Sequence, residues 1–223
     1  MKTLVFNGWA AGPEVWALCS FPHDWIFDYV EQLDGLPEKV MDDSDEVILV
    51  GFSMGGSTAL RMLLRAPEKV KGLVLISTTP CMMERPDESW RGMSERRLAA
   101  LRLGTQMMFK DDPSPMYDER NMERGLEYLK STDLRETLKS LAARPEVAPY
   151  HREHVLSLIP VHVFQSERDG IVRPSNAAFL KGIFPQAKVT MVPGNEHVLP
   201  VTVPEKIDEA VESIARNRMP REN

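Results

Sequence analysis

The chain has 223 residues, of which 43% are hydrophobic and 27% charged, and its formal net charge is −6. These values are typical of one well-cored globular domain, and the negative charge argues against general nucleic-acid binding. No apolar run approaches the roughly 20 residues of a membrane span, and the first residues enter a strand pattern at once, so we expect neither a signal peptide nor a membrane span. Cys19 and Cys81 lack metal-ligand spacing. We therefore expect reduced thiols and a cytoplasmic location. We also expect a monomer that holds no metal or cofactor.

Short apolar segments alternate with amphipathic ones along the chain. The pattern predicts strands over 2–6, 24–29, 46–52, 72–78, 161–166 and 188–193, and helices near 31–41, 54–66, 174–182 and 204–217. This alternation is typical of a mainly parallel sheet with helices on both faces. Between Pro80 and Pro160 a charged, Met-rich helical pattern, broken by prolines, replaces the strands. We therefore predict an α/β core made of residues 1–79 and 160–223, with a helical cap inserted at 80–159.

The charges are unevenly distributed along this predicted fold. Residues 1–60 carry ten acidic and two basic side chains, whereas residues 91–110 carry five basic side chains and one acidic one. A local basic face on an acidic protein could receive an acidic partner. A solvated helix face would carry the same charges, so the pattern alone leaves both interpretations open.

A nucleophile motif lies at the junction of the third predicted strand and the following helix. Residues 51–55 read Gly-Phe-Ser-Met-Gly, which matches the Gly-x-Ser-x-Gly elbow. The turn is so tight that side chains two positions either side of the serine would collide with backbone, and glycine removes the collision. The strained turn then exposes Ser53 Oγ above a helix N-terminus, whose free N–H groups point at developing negative charge. A glycine-softened turn with a bystander serine is the alternative.

A serine hydroxyl is a weak nucleophile until an oriented base takes its proton. In hydrolases with this elbow the acid and then the histidine follow the serine, each after a strand. Asp169 comes directly after the strand at 161–166, and His197 lies in the loop after the last strand. These positions predict a Ser53–Asp169–His197 triad. Glu167 is the nearest rival acid, and Asp169 could instead be an Asp-Gly turn residue.

The remaining histidines fit the role of base less well. His162 alternates within a strand, which favours a structural role, and His23, His151 and His154 lack a strand-end setting. The loop after the first strand should supply one oxyanion donor. There Gly8 allows close approach of the backbone, so we predict that the N–H groups of Trp9 and Met54 bind the substrate oxyanion.

Several of these segments together resemble a known family. Gly8-Trp9 after the first strand, the elbow at 51–56, Ser-Thr-Thr-Pro-Cys at 77–81, the stretch 125–135 and Asp-Gly-Ile-Val-Arg-Pro at 169–174 are similar to the pimeloyl-acyl-carrier-protein methyl ester esterases of biotin synthesis, a branch of the α/β-hydrolases. The stretch 125–135 is the most specific, because other hydrolases share the elbow but not that helix. The chain departs from the family at Asn7, where His-Gly-Trp is usual.

The resemblance implies an α/β-hydrolase fold and a serine carboxylesterase that needs no cofactor. It also implies that basic cap residues receive the acidic acyl-carrier protein that bears the substrate, with Arg96, Arg97 and Arg102 as candidates by position. The cap methionines would suit an adaptable acyl groove, or would fill a small helical core. Other functions on the same fold stay open: a thioesterase, a small-ester hydrolase, a C–C hydrolase or lyase, or a catalytically silent binding protein.

Overall fold

The computed structural model describes residues 1–83, 93–142 and 158–216. Within these ranges the strands are β1 (Lys2–Phe6), β2 (Trp25–Phe27), β3 (Val47–Phe52), β4 (Val70–Ile76), β5 (Val161–Ser166) and β6 (Lys188–Val192). The helices are α1 (Tyr29–Leu33), α2 (Leu36–Asp42), α3 (Met54–Arg65), α4 (Glu95–Met108), α5 (Glu119–Ser131), α6 (Arg135–Ala142), α7 (Ser175–Ile183), α8 (Leu199–Thr202) and α9 (Pro204–Arg216). Short 3₁₀ helices cover Pro13–Trp16 and Pro115–Tyr117.

The strands form one sheet in the order β2-β1-β3-β4-β5-β6, and every neighbouring pair is parallel. The carboxyl ends of all strands therefore meet at one edge, where the predicted site residues follow β1, β3, β5 and β6. The predicted α/β class with a parallel sheet is confirmed. The predicted helix at 31–41 is wrong in one respect: Gly35, with φ of 76°, separates α1 from α2. Glycine adopts this left-handed conformation without the cost that a Cβ brings.

Successive residues of the central strands pack on opposite faces of the sheet. Leu4, Leu49, Leu73 and Val163 lie in one core with side chains of α2, α3 and α7. Val5, Val50, Val74 and Phe164 lie in the other core with α8, α9, Trp16 and Phe21. Both faces of the sheet are therefore covered, and the central strands are buried as continuous apolar runs.

The helices between β4 and β5 occupy two different places. Side chains of α4 and α5 pack above the carboxyl edge, where Leu98 and Leu129 join Tyr29 and Met54 in a third apolar cluster. Helix α6 instead adds Leu138 to a sheet core. The residue boundaries of core and cap stay predictions, and the predicted cap segments 84–92 and 143–157 lie outside the described residues. In the described part of the chain, no helix has the length and apolarity needed to cross a bilayer.

Candidate active site

The turn between β3 and α3 places Ser53 at the carboxyl edge with φ of 53° and ψ of −120°, a conformation that L-residues rarely adopt. A Cβ on Gly51 would lie 2.5 Å from Gly56 Cα, and a Cβ on Gly55 would lie 2.1 Å from the Phe6 carbonyl oxygen. Neither contact is sterically possible, so glycine is required at both positions. Thr78 Oγ1 donates a hydrogen bond of 2.6 Å to the Ser53 carbonyl and supports the strained turn from the neighbouring strand end.

The structure brings the three predicted catalytic side chains together. His197 Nε2 lies 2.9 Å from Ser53 Oγ, and His197 Nδ1 lies 2.8 Å from Asp169 Oδ2. A carboxylate can only accept, so Nδ1 carries the proton and Nε2 is the free acceptor that faces the serine hydroxyl. The arrangement can transfer a proton from Ser53 to His197 while Asp169 stabilises the imidazolium that forms.

Asp169 is buried, and its carboxylate is fixed by the turn that follows it. The backbone N–H groups of Ile171 and Val172 donate to Oδ1 at 2.8 and 2.9 Å. Gln165 Nε2, on β5, donates to Oδ2 at 3.2 Å. Three protein donors and the imidazole thus hold the carboxylate in one orientation.

The rival residues lie elsewhere. Glu167 is exposed on the loop after β5. His162 is a residue of β5 that faces α9, where its Nε2 is 3.4 Å from Ser213 Oγ, and burial together with nearby Lys188 lowers its pKa. His23 Nδ1 lies 3.3 Å from the Phe21 carbonyl oxygen. His151 and His154 lie outside the described residues.

Trp9 and Met54 both border the nucleophile. Trp9 lines the same cavity as Ser53 and His197, and Met54 opens α3 directly after the nucleophile. The Trp9 indole also packs against α5, because a Cβ on Gly125 would lie 2.7 Å from Trp9 Nε1. The close approach of this helix to the oxyanion loop therefore depends on a glycine in the stretch 125–135, which the sequence singles out.

An apolar cavity of about 360 Å³ opens in front of Ser53. Its lining from the core side includes Val15 and Phe52. Its lining from the cap side includes Met82 and Met93, which flank the segment before α4, together with Leu101 of α4 and Leu129 of α5. A second cavity of about 360 Å³ shares five lining residues with the first and reaches Arg97 and Gly170. The two cavities therefore adjoin each other along these shared residues, and the first forms a groove in front of Ser53. Met82 and Met93 line this groove, whereas Met122 is buried in the cap, so the predicted acyl-binding role of the cap methionines stays a prediction.

The three arginines proposed to bind a partner do not form one free cluster. Arg102 pairs with Glu119 and Glu123 at 3.4 and 3.1 Å, so its charge is offset within the cap. Arg97 donates to the Gly170 carbonyl at 3.3 Å and borders the second cavity. Arg96 is exposed on α4.

Sequence reasoning missed two supporting side chains, Thr78 and Gln165. The segment that contains Thr78 carries a family resemblance but no predicted role for its side chain, and the strand pattern gives Gln165 no role. A polar side chain at the buried end of a strand, four residues before the acid, is the signal that could have found Gln165. Among the described residues no group of three His, Cys, Asp or Glu side chains is placed to hold a metal ion.

Comparisons with known proteins agree with this geometry. The family model described as alpha/beta hydrolase fold matches residues 22–202. A pimeloyl-acyl-carrier-protein methyl ester esterase of Nitrosospira multiformis is 25% identical over 215 residues, which cover 82% of this chain and 75% of the relative. An esterase of the same name from Salmonella heidelberg is 34% identical over 124 residues, which cover 44% of this chain and 48% of the relative. The resemblance drawn from the sequence is thus confirmed.

Solved structures agree on the fold. A thermophilic esterase matches with a TM-score of 0.64 and 16% identity, over 97% of this chain and 90% of that protein. A hydrolase from Oleispira antarctica matches with a TM-score of 0.66 and 16% identity, over 98% of this chain and 92% of that protein. At this identity the likeness concerns the fold alone.

Proposed function

Because this chain belongs to the alpha/beta hydrolase fold family, we propose that it is a serine carboxylesterase that hydrolyses the methyl ester of pimeloyl-acyl-carrier protein in biotin synthesis. The observation that carries the esterase activity is the continuous contact from Ser53 through His197 to Asp169. The substrate is inferred from the names of the relatives. The chain spans about half the length of the Salmonella relative and three quarters of the Nitrosospira one.

In the acylation step, His197 Nε2 takes the Ser53 proton as Oγ attacks the ester carbonyl carbon. The carbonyl π pair moves to oxygen, and we propose that the N–H groups of Trp9 and Met54 bind this oxyanion. The intermediate collapses as the bond to the methoxy oxygen breaks. The imidazolium then returns its proton to the leaving group, which departs as methanol.

Deacylation repeats the same steps with water. His197 takes a proton from a water molecule, whose oxygen attacks the acyl-enzyme carbonyl. Collapse of the second intermediate breaks the bond to Ser53 Oγ, which recovers the proton from His197. The products are a free carboxylic acid and the starting enzyme.

The groove in front of Ser53 suits an extended acyl chain. Its apolar side chains bury methylene groups, which is favourable by roughly 0.8 kcal/mol for each one. The second cavity adjoins the groove at Leu101 and Ile171 and reaches Arg97, so we propose that the far end of the chain and its carrier leave beside α4. This supports a long acyl substrate rather than a small ester.

We place the acidic carrier protein at α4, where Arg96 and Arg97 are exposed. Arg102 contributes less to this surface than its charge suggests, because two glutamates already pair with it. Complementary charge would act mainly on encounter and orientation. The expected monomeric state, the cytoplasmic location and the lack of nucleic-acid binding remain predictions.

The test is turnover of methyl-pimeloyl-acyl-carrier protein followed by mass spectrometry of the carrier. We expect the mass of the acylated carrier to fall by the mass of one CH₂ group, because hydrolysis replaces the methyl group of the ester by a hydrogen. Release of the unacylated carrier would indicate a thioesterase instead, and turnover of a diketone alone would indicate a C–C hydrolase. A chain that a fluorophosphonate does not label would be a silent binding protein. Complementation of a biotin-requiring strain that lacks its esterase tests the biological role.

A further inference from the structure

The carbonyl of Asn7 lies between the two segments that carry the proposed oxyanion donors. Asn7 is fully buried and immediately precedes Gly8 and Trp9. A Cβ on Gly55 would lie 2.6 Å from the Asn7 carbonyl oxygen, and Gly55 directly follows Met54. The Asn7 carbonyl, next to that of Phe6, therefore lies where the oxyanion loop packs against the start of α3.

Gln32 of α1 holds that carbonyl from inside the protein. Its Nε2 donates to the Asn7 carbonyl at 2.9 Å and to the Phe27 carbonyl at 3.2 Å, while its Oε1 accepts from Thr58 Oγ1 at 2.7 Å. Both carbonyls can only accept, so the amide has a single workable orientation. Gln32 is 2% exposed, which removes water as a competing partner.

Other contacts fix the backbone N–H and the side-chain oxygen of Asn7. Its backbone N–H donates to the Phe27 carbonyl at 2.9 Å, and its Oδ1 accepts from Trp16 Nε1. The Thr58 hydroxyl also lies 3.1 Å from the Tyr128 hydroxyl of α5. A buried chain of hydrogen bonds thus runs from the cap helix through Thr58 and Gln32 to the oxyanion loop.

We infer that Gln32 is a positioning residue for the oxyanion hole: it directs the Asn7 carbonyl into the protein so that the next peptide presents the Trp9 N–H to the substrate. Without this donor, a buried carbonyl would lack its partner, and rotation of the Asn7–Gly8 peptide would satisfy it. That rotation would displace the Trp9 N–H. The inference rests on the proposed esterase function.

The test compares Gln32→Met with wild type on a methyl ester and with a trifluoromethyl ketone, whose adduct with Ser53 places an oxyanion in the hole. We expect kcat to fall by about 10- to 100-fold, less than the loss of an entire oxyanion donor, and KM to stay within about threefold. The inhibition constant of the ketone should rise by the same factor as kcat falls, because both report binding of the oxyanion.

Ser44→Ala is the matched control. Ser44 is buried and donates to the Val40 carbonyl at 2.6 Å at the end of α2, so this variant also leaves a buried carbonyl without a donor. It should lower thermal stability while leaving kcat and ketone affinity unchanged. Equal kinetic losses in both variants, or an unchanged ketone affinity in folded Gln32→Met, would overturn the role of Gln32.

Gln32→Glu covers the case in which the methionine variant does not fold. Its carboxylate keeps the shape and the acceptor for Thr58, but it can donate to Asn7 only when protonated. The affinity of Gln32→Glu for the ketone should therefore rise toward that of wild type as the pH falls. A ratio of the two affinities that is independent of pH would contradict the inference. If wild type itself neither reacts with a fluorophosphonate nor hydrolyses the ester, the proposed function fails. If wild type is active and the Gln32 variants keep its kcat and its affinity for the ketone, only the role of Gln32 is rejected.

Discussion

The two sides of the active-site cavity are built in different ways. On the sheet side, backbone contacts leave no freedom: glycines at 51 and 55 admit no Cβ, and the buried Asp169 carboxylate accepts three protein hydrogen bonds besides that of His197. On the cap side, three of the side chains that line the cavity are the methionines Met82, Met93 and Met108, and Met108 is 72% exposed. The difference teaches that the reaction geometry depends on rigid backbone, whereas the fit to an acyl chain depends on adaptable side chains.

The strongest test of the sheet side removes the nucleophile. Ser53→Ala should lower kcat by on the order of 10⁴–10⁶, because the triad acts as a unit. The backbone should not change, since alanine keeps the Cβ. Ser131→Ala, which removes an exposed hydroxyl of α5, should leave the rate unchanged. Hydrolysis of a p-nitrophenyl ester and circular dichroism measure both effects, and activity of Ser53→Ala within tenfold of wild type would contradict the assignment.

A second test concerns the rigidity of the elbow. Gly55→Ala should destabilise the protein by about 3 kcal/mol and depress activity, because its Cβ would meet the Phe6 carbonyl at 2.1 Å. Gly104→Ala is the matched substitution on the cap side, where a Cβ meets nothing within 4 Å. It should stabilise α4 by about 0.5–1 kcal/mol. Urea denaturation measures both values. Similar unfolding midpoints for the two variants would contradict the claim that the sheet side of the cavity is more rigid than the cap side.

A third test concerns the cap surface. The double variant Arg96→Glu with Arg97→Glu should raise KM for the carrier-linked ester by about tenfold through charge repulsion, and added salt should weaken wild-type turnover. Arg102 is left unchanged, because its reversal would also break two ion pairs within the cap. A free p-nitrophenyl ester should be turned over at a nearly unchanged rate.

Lys206→Glu on α9 is the control for this charge change, since it lies outside the cap. It should leave KM for the carrier-linked ester as in wild type. If the double variant and this control behave alike, α4 does not receive the carrier protein.

The smallest expected effect is a change in the pH dependence of stability, which distinguishes His162 from His197. Burial and Lys188 lower the pKa of His162 in the folded protein, so the unfolded chain takes up a proton more readily. The neutral form therefore contributes its full stability above the ordinary histidine pKa of about 6.5, and stability falls as the pH drops below it. His162→Asn should flatten this part of the curve of melting temperature against pH and keep the esterase activity. Loss of activity in His162→Asn, with His197→Ala still active, would mean that the base is misassigned.

The triad could be predicted because each member obeys a local rule. The tight turn between strand and helix requires glycine two positions before and two positions after the serine, so five consecutive residues identify it. Asp169 and His197 follow strands, and a parallel sheet brings all strand ends to one edge. The alternation of apolar segments, together with the elbow motif and the order of the triad, therefore predicted that two residues 144 positions apart meet in hydrogen-bond contact.

Other features depended on contacts that no local pattern encodes. Gln32, Asn7 and Thr58 belong to three separate elements, and only packing of α1 against α3 turns them into one hydrogen-bonded group. The charge of Arg102 looked free until α5 placed Glu119 and Glu123 beside it. Local sequence thus predicted the sheet and the three side chains that meet at its edge, because steric constraints and hydrophobic periodicity act over a few residues. The tertiary structure alone decided which buried polar groups orient the site and which charges remain available, because partners for such groups come from any part of the chain.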